Sequence, residues 1–324
     1  MITKAILMAS AALTPYIPGQ VKVGVTYIAN EDRITEDGFS EPLTTYAQGW
    51  RDNSPIMEDL QSIAPSVPVA RRFDYKTSPK AEAFLIDIDD IRAPMGDFKR
   101  IEYTGGEETE KTDNKGLVFR VEKGTSDKSK QRKIALTIQR LYRSELVRAG
   151  KILQGLTNGS AKVWGPDSDP DADLILGIEK SADQTGVQPN VVIFDSKAWA
   201  IRQIAHRSSD KAGGMASASL TKEQLADLLG VEKVIVLKER FTIKKGQGAK
   251  EKILSTPAVF ITNIDQLAME DDPSAIKRFV SQDGEIRVHV DDHHAKFEDI
   301  TVEHYSKIIG TSGIGTIRYN VSQE

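Results

Sequence analysis

Cysteine is absent from this 324-residue chain. That excludes disulfides, thiolate metal sites and a cysteine nucleophile, and it argues against a small secreted fold held by disulfides. The chain also lacks an apolar run of the roughly 20 residues needed to cross a bilayer. Ala5–Leu13, behind Lys4, resembles a minimal secretory leader. It is shorter than such leaders usually are and its basic region is a single lysine, so we expect an N-terminal arm that packs on a neighbour. Positive charge is not in excess either: 43 Lys and Arg against 47 Asp and Glu give a net charge of −4. There is therefore no global basic field for gripping nucleic acid. What remains is ordinary for a globular protein, with 39% hydrophobic and 28% charged residues, and the length suits one large or two moderate domains.

Several catalytic signatures are missing as well. Gly246 and Gly248 lack the G-K-[ST] ending and following helix of a phosphate loop, and read as a hairpin tip or surface loop. No G-x-S-x-G elbow marks a nucleophile. Asp291, Asp292, His293 and His294, with His289 upstream, are metal-ligand residue types and would suit a metal-dependent hydrolase. Adjacent histidines on an extended segment point to opposite sides, however, and no helix supplies an i, i+4 pair. A charged turn between strands is the preferred reading, and no metal or cofactor is expected. Asp167, Asp169, Asp171 and Asp173 alternate as in a calcium loop, but lack its central glycine and terminal glutamate and contain Pro170. They read as a solvated linker.

Along the chain, Pro15–Pro68 is broken by prolines and glycines. A loop region this long is uncommon in a compact domain, and Phe39, Tyr46 and Trp50 suit an arm better than disorder. Met57–Ile63 could form a helical turn or two. Phe84, Ile86 and Ile88 alternate like a strand, as do Phe98–Tyr103 and Leu117–Val121. The last two enclose GGEETEKTDNKG, whose Asn114-Lys115-Gly116 suggests a hairpin turn. That ribbon has almost no apolar face of its own, and an isolated two-stranded ribbon is marginal in water. From Asp127 to Leu156 the period becomes helical, through Ile134, Ile138, Leu141, Tyr142, Ala149 and Leu153.

Pro189–Phe241 is the best-signed stretch. Val191–Phe194 reads as a buried strand, and Asp195 or Ser196 caps a helix with Trp199, Ile201 and Ile204 apolar. After a small-residue loop, Thr221 and Gln224 form a capping box, and Leu220 and Leu225 a hydrophobic staple. Leu225, Leu228 and Leu229 form the buried stripe, Gly230 the left-handed cap, and Val231–Leu237 a second apolar strand.

The order and spacing of Pro189, Asn190, Trp199, Thr221, Leu225, Ala226, Leu228, Leu229, Gly230, Val231, Val234 and Val236 resemble the axial domain of tailed-phage major capsid proteins. These have the Johnson fold, which encapsulin shells share. A long hairpin followed directly by a long helix is a second resemblance, and Arg92, Ala93, Gly96, Phe98 and Arg100 resemble the approach to that hairpin in one capsid subgroup. The resemblance implies an α+β fold. Its parts would be an N-terminal arm (1–72), an extended loop (73–125), a peripheral domain with a spine helix (126–165 and 281–324) and an axial domain (166–280). Gly284–His289, Phe297–Tyr305 and Gly315–Val321 would be the closing peripheral strands. It implies a structural protein, not an enzyme, forming hexamers and pentamers of an icosahedral head around double-stranded DNA. Phe98, Arg100, Phe119 and Arg120 would lie at inter-subunit contacts. Partners would be further copies of itself, a separate scaffolding protein, a portal, a decoration protein and non-specifically contacted DNA, with assembly in the bacterial cytoplasm and residence in the virion. An encapsulin-type compartment is the alternative within this resemblance.

Overall fold

A computed structural model describes residues 38–50, 55–77, 106–210, 213–242, 248, 250–265, 274–282, 286–292 and 295–324. Its helices are α1 (Glu41–Gly49), α2 (Ile56–Ile63), α3 (Asp127–Leu156), α4 (Pro170–Thr185), α5 (Ser196–Ser208), α6 (Gly214–Ser219) and α7 (Lys222–Leu229). The strands begin with β1 (Ser66–Val69), β2 (Arg72–Thr77), β3 (Gly106–Lys111), β4 (Asp113–Glu122), β5 (Ser160–Trp164), β6 (Val191–Asp195) and β7 (Lys233–Leu237). They continue with β8 (Arg240–Phe241), β9 (Glu251–Lys252), β10 (Ala258–Thr262), β11 (Ile276–Ser281), β12 (Ile286–Asp291), β13 (Phe297–Gly310) and β14 (Ile317–Gln323). The chain divides into two compact units. One comprises Met1–Arg51, Asn114–Ile138 and Gly284–His304; the other comprises Asp52–Asp113, Gln139–Asp283 and Tyr305–Glu324.

In the first unit β12 pairs antiparallel with the first half of β13, and β4 also pairs with β13. The outer edge of β12 is closed by the segment from Gly38 to Gln48. Val290 N–H donates to Gly38 O at 2.7 Å and Ser40 N–H to Val288 O at 3.0 Å. Thr44 Oγ1 then accepts from Val288 N–H at 3.0 Å, and Gln48 Nε2 donates to Ile286 O at 3.1 Å. Gly38 has φ of 82°, and a Cβ there would stand 2.3 Å from Val290 O, so no larger residue fits without displacing the pairing. Helix α1 was not anticipated in a stretch that reads as irregular.

In the second unit five strands run in the order β5–β14–β10–β6–β7. β6 and β7 are parallel, with α5, α6 and α7 forming the crossover that parallel pairing requires. Every residue of β6 and β10 is buried, which explains the apolar runs Val191–Phe194 and Ala258–Ile261. Trp164, Leu174, Phe194, Ile201, Leu225 and Tyr319 belong to the core beneath. The local signals hold here. Asp195 accepts from Lys197 N–H at 2.8 Å. Thr221 and Gln224 exchange both bonds of the capping box, and Gly230 has φ of 66°. One position differs: Leu228 is 53% exposed, while Ala226 takes the buried place expected of it. In addition, the small-residue loop contains α6.

The last strand also differs from expectation. β14 pairs with β10 and β5 rather than with the other closing strands. β11 instead joins β1, in parallel, and the second half of β13. Beside them β2 and β3 form an antiparallel ribbon. Phe73 stacks on Phe279 with ring centroids 4.4 Å apart and Tyr75 follows at 5.7 Å, so this ribbon, a different one from that expected between Phe98 and Val121, has an apolar anchor. The hairpin tip expected at Gly105–Gly116 is not a turn: Gly106–Lys111 is β3, paired with β2, and Asn114–Gly116 lie within β4. Residues 78–105, which join β2 to β3, fall outside the described residues and take the strands expected at Phe84–Ile88 and Phe98–Tyr103 with them. Helix α3 has the predicted limits, and Gly150 within it is buried against Ile253.

Candidate functional site

Of the four residues expected at inter-subunit contacts, Phe98 and Arg100 lie outside the described residues. Phe119 and Arg120 lie on β4 in the first unit. Arg120 forks onto Asp299, with Nε 2.8 Å from Oδ1 and Nη2 2.7 Å from Oδ2, and its guanidinium sits 5.8 Å from the centre of the Phe297 ring. The hydrogen bond to Asp299 raises the Arg120 pKa. Its side chain remains 54% exposed, so the pair fixes the guanidinium without covering it. Two neighbours on the strand, Leu117 and Val118, are 40% and 61% exposed, and only Val121 is fully buried. β4 thus carries two adjacent exposed apolar side chains.

The residues weighed as a metal centre are used otherwise. His289 Nε2 lies 3.2 Å from Glu303 Oε1, with its ring edge-on to Phe39 at 5.8 Å. Burial pushes the Glu303 carboxyl up, but hydrogen bonds from His289 and Asn114 outweigh it and hold the pKa below the ordinary range. Asp292 pairs with Lys123 at 2.6 Å. His293 and His294 lie outside the described residues. Among the described residues, no group of three or more His, Asp or Glu side chains is placed to hold a metal ion, and no helix is long and apolar enough to cross a membrane.

The aspartates expected in a solvated linker have structural work instead. Asp169 caps α4, accepting from Ala172 N–H at 3.2 Å, and Pro170 follows at the first helical position. Asp173 accepts from Lys162 Nζ at 2.6 Å and from Trp164 Nε1 at 2.9 Å. Asp171 is buried. It holds Arg202 of α5 through Nε at 2.6 Å and Nη2 at 2.8 Å, and His206 Nε2 lies 3.1 Å away. Burial raises the Asp171 pKa, and the His206 and Arg202 contacts more than reverse it, leaving the carboxyl below its usual range. This cluster ties α4 to α5 and contains no nucleophile. Its sequence signal was there: Asp-Pro is an N-cap and first-position pair, followed by Leu174 and Ile178 at helical spacing.

The chain matches no family model and no curated protein. Among solved structures it is similar to a phage-related protein from Bordetella bronchiseptica, with a TM-score of 0.67 and 19% identity, over 87% of this chain and 96% of that one. It is also similar, at a TM-score of 0.47 and 11% identity, to the mature capsid of bacteriophage PhiM1, over 95% of this chain and 98% of that one. An encapsulin complex from Synechococcus elongatus gives 0.47 and 13%, over 84% and 89%. What the chain shares with the Bordetella protein is its fold, which is α+β.

Proposed function

We propose that this chain is the major structural protein of a phage head, assembling as hexamers and pentamers into an icosahedral shell around double-stranded DNA. The observation that carries this reading is the fold, similar over nearly the whole of both chains to a phage-related protein. The exposed apolar side chains of β4 support it, because self-association would cover them. In this reading the protein's role is mechanical rather than catalytic, and Phe98, Arg100, Phe119 and Arg120 contact neighbouring copies. A scaffolding protein, a portal and a decoration protein complete the particle, which is assembled in the bacterial cytoplasm.

The test is direct. Purified full-length protein, viewed by negative-stain electron microscopy and sized by gel filtration with light scattering, should give closed particles or capsomers. A monodisperse 35.7 kDa monomer at high concentration would sink the reading. Particles that enclose a cargo protein and no nucleic acid would move it to an encapsulin-type compartment.

A further inference from the structure

Cations are gathered on one helix of a chain whose net charge is −4. Helix α3 has eight basic residues against two acidic ones, Asp127 and Glu145. Three of the eight are held: Lys130 by Glu298 at 2.5 Å, Arg143 by Glu239 at 3.4 Å, and Arg148 by the buried Glu145. The other five, Lys128, Arg132, Lys133, Arg140 and Lys151, are exposed and have no acidic partner among the described residues.

Taken unit by unit, the pattern is the same. In the first unit the helix exposes Lys128, Arg132, Lys133 and Leu136; in the second it exposes Arg140, Ser144, Arg148 and Lys151. Apart from Asp127 at the first position, neither share exposes an acidic side chain. The ordinary solvated face of a long helix mixes acids and bases at i, i+4, where each pair adds a few tenths of a kcal/mol. Here that stabilisation is forgone and like charges stand together, which favours a polyanion as the missing partner. From Arg140 to Lys151 the helix rises roughly 16 Å at its standard pitch, and the cations fall within roughly a quarter-turn of arc. That is the length of about five base pairs of duplex DNA.

We propose that each of these two cationic shares of α3 is a contact face for the phosphate backbone of double-stranded DNA, bound without base readout. The inference rests on the shell reading, which makes DNA the enclosed partner. It goes beyond that reading by assigning the DNA-facing surface to named residues. Lysine and arginine contacts to phosphate release condensed counterions, so such binding is independent of sequence and steeply dependent on salt.

The experiment uses the full-length protein and a short fluorescein-labelled duplex of random sequence, titrated by anisotropy over a range of salt. One variant carries Lys128→Gln, Arg132→Gln and Lys133→Gln, and a second carries Arg140→Gln and Lys151→Gln. Arg148 is left intact because it holds the buried Glu145. Each should keep its far-UV circular dichroism and melting temperature. Affinity should fall about tenfold or more, and the slope of log K on log salt should shrink by roughly 0.9 per lost contact. A control with Lys197→Gln, Lys222→Gln and Lys238→Gln, all exposed on other elements, should bind like the parent. Arg132→Lys with Arg140→Lys should also bind like the parent, since charge and not shape is at work. The proposal is overturned if the helix variants bind as the parent does, or if the control loses as much. It is also overturned if poly-glutamate outcompetes the duplex, which would assign the face to an acidic protein. Particle formation is scored separately by electron microscopy. Particles that form while the helix variants retain full DNA affinity end this inference alone; failure to form particles ends the shell reading whatever the duplex does.

Discussion

Strands β6 and β4 make an instructive pair. β6 is five residues, all buried, and its first four, Val191–Phe194, form an apolar run that admits one interpretation. β4 is ten residues, of which only Val121 is fully buried, and its sequence opens on Asp-Asn-Lys-Gly, a turn signal. The structure overrides that signal. Gly116 is needed not for a turn but for closeness: a Cβ there would meet Glu303 Cβ and Val302 O, each at 3.1 Å. Where a core decides the conformation, the local pattern is sufficient. Where a strand's partner lies far along the chain, as β13 does from β4, glycine gives the same local signal for two different physical reasons.

The contrast can be attacked from its strongest point downward. Asp171→Ala should cost about 3–5 kcal/mol, because Arg202 is left as an uncompensated buried charge. Replacing both partners, Asp171→Leu with Arg202→Met, should recover most of it. Urea denaturation of the two variants decides whether burial or the ion pair is the important quantity, and equal losses would show that packing alone matters. Next, within one helix, Leu225→Ala should cost about 2–5 kcal/mol, whereas Leu228→Ala, on the exposed side, should stay within about 0.5 kcal/mol. Thr221→Ala should cost about 1 kcal/mol by removing one half of the capping box.

A subtler effect concerns α2. The Asp59 carboxyl is raised to about 6 by burial and by the nearby Glu239 and Glu58. A folded-state pKa above the unfolded value gives stability that is present at low pH and lost as pH rises through about 6. Asp59→Asn should therefore raise the melting temperature by a few degrees at about pH 8 and leave it nearly unchanged at about pH 4. A uniform shift at both values would point to a cause other than ionisation. On the β4 side of the comparison, Leu117→Ser with Val118→Ser should leave subunit stability within about 0.5 kcal/mol while lowering particle yield. Undiminished particles would remove β4 from the inter-subunit surface.

These two strands also mark how far the sequence could be read. Apart from α6, the crossover from Val191 to Leu237 was legible element by element, because caps, staple and apolar runs are short-range signals that the core then reinforces. The 30-residue helix was legible to its ends from its period. The strand pairings were not: β14 beside β5, β3 beside β2 and β4 beside β13 are matches between distant segments that no local pattern encodes. Leu228 was misplaced because Leu225, Leu228 and Leu229 have the i, i+3, i+4 spacing of a single buried face, whereas this short helix is turned so that Leu225, Ala226 and Leu229 face inward, and nothing local sets that rotation. For the candidate site, Arg120 was named from resemblance, but its fork onto Asp299 depends on a strand far along the chain.

The edge of β12 has a practical consequence for anyone who trims this protein. Four hydrogen-bonding groups of that strand, from Ile286 O to Val290 N, find their partners in the segment from Gly38 to Gln48. A protease cut or a shortened clone beginning after Ser40 would strip two of them at once and leave the Val288–Val290 part of the strand edge uncovered. Such an edge is a template for adding further strands. Insolubility of a product shortened in this way would then report a lost cover rather than a lost fold, and the boundary of any soluble fragment belongs ahead of Gly38.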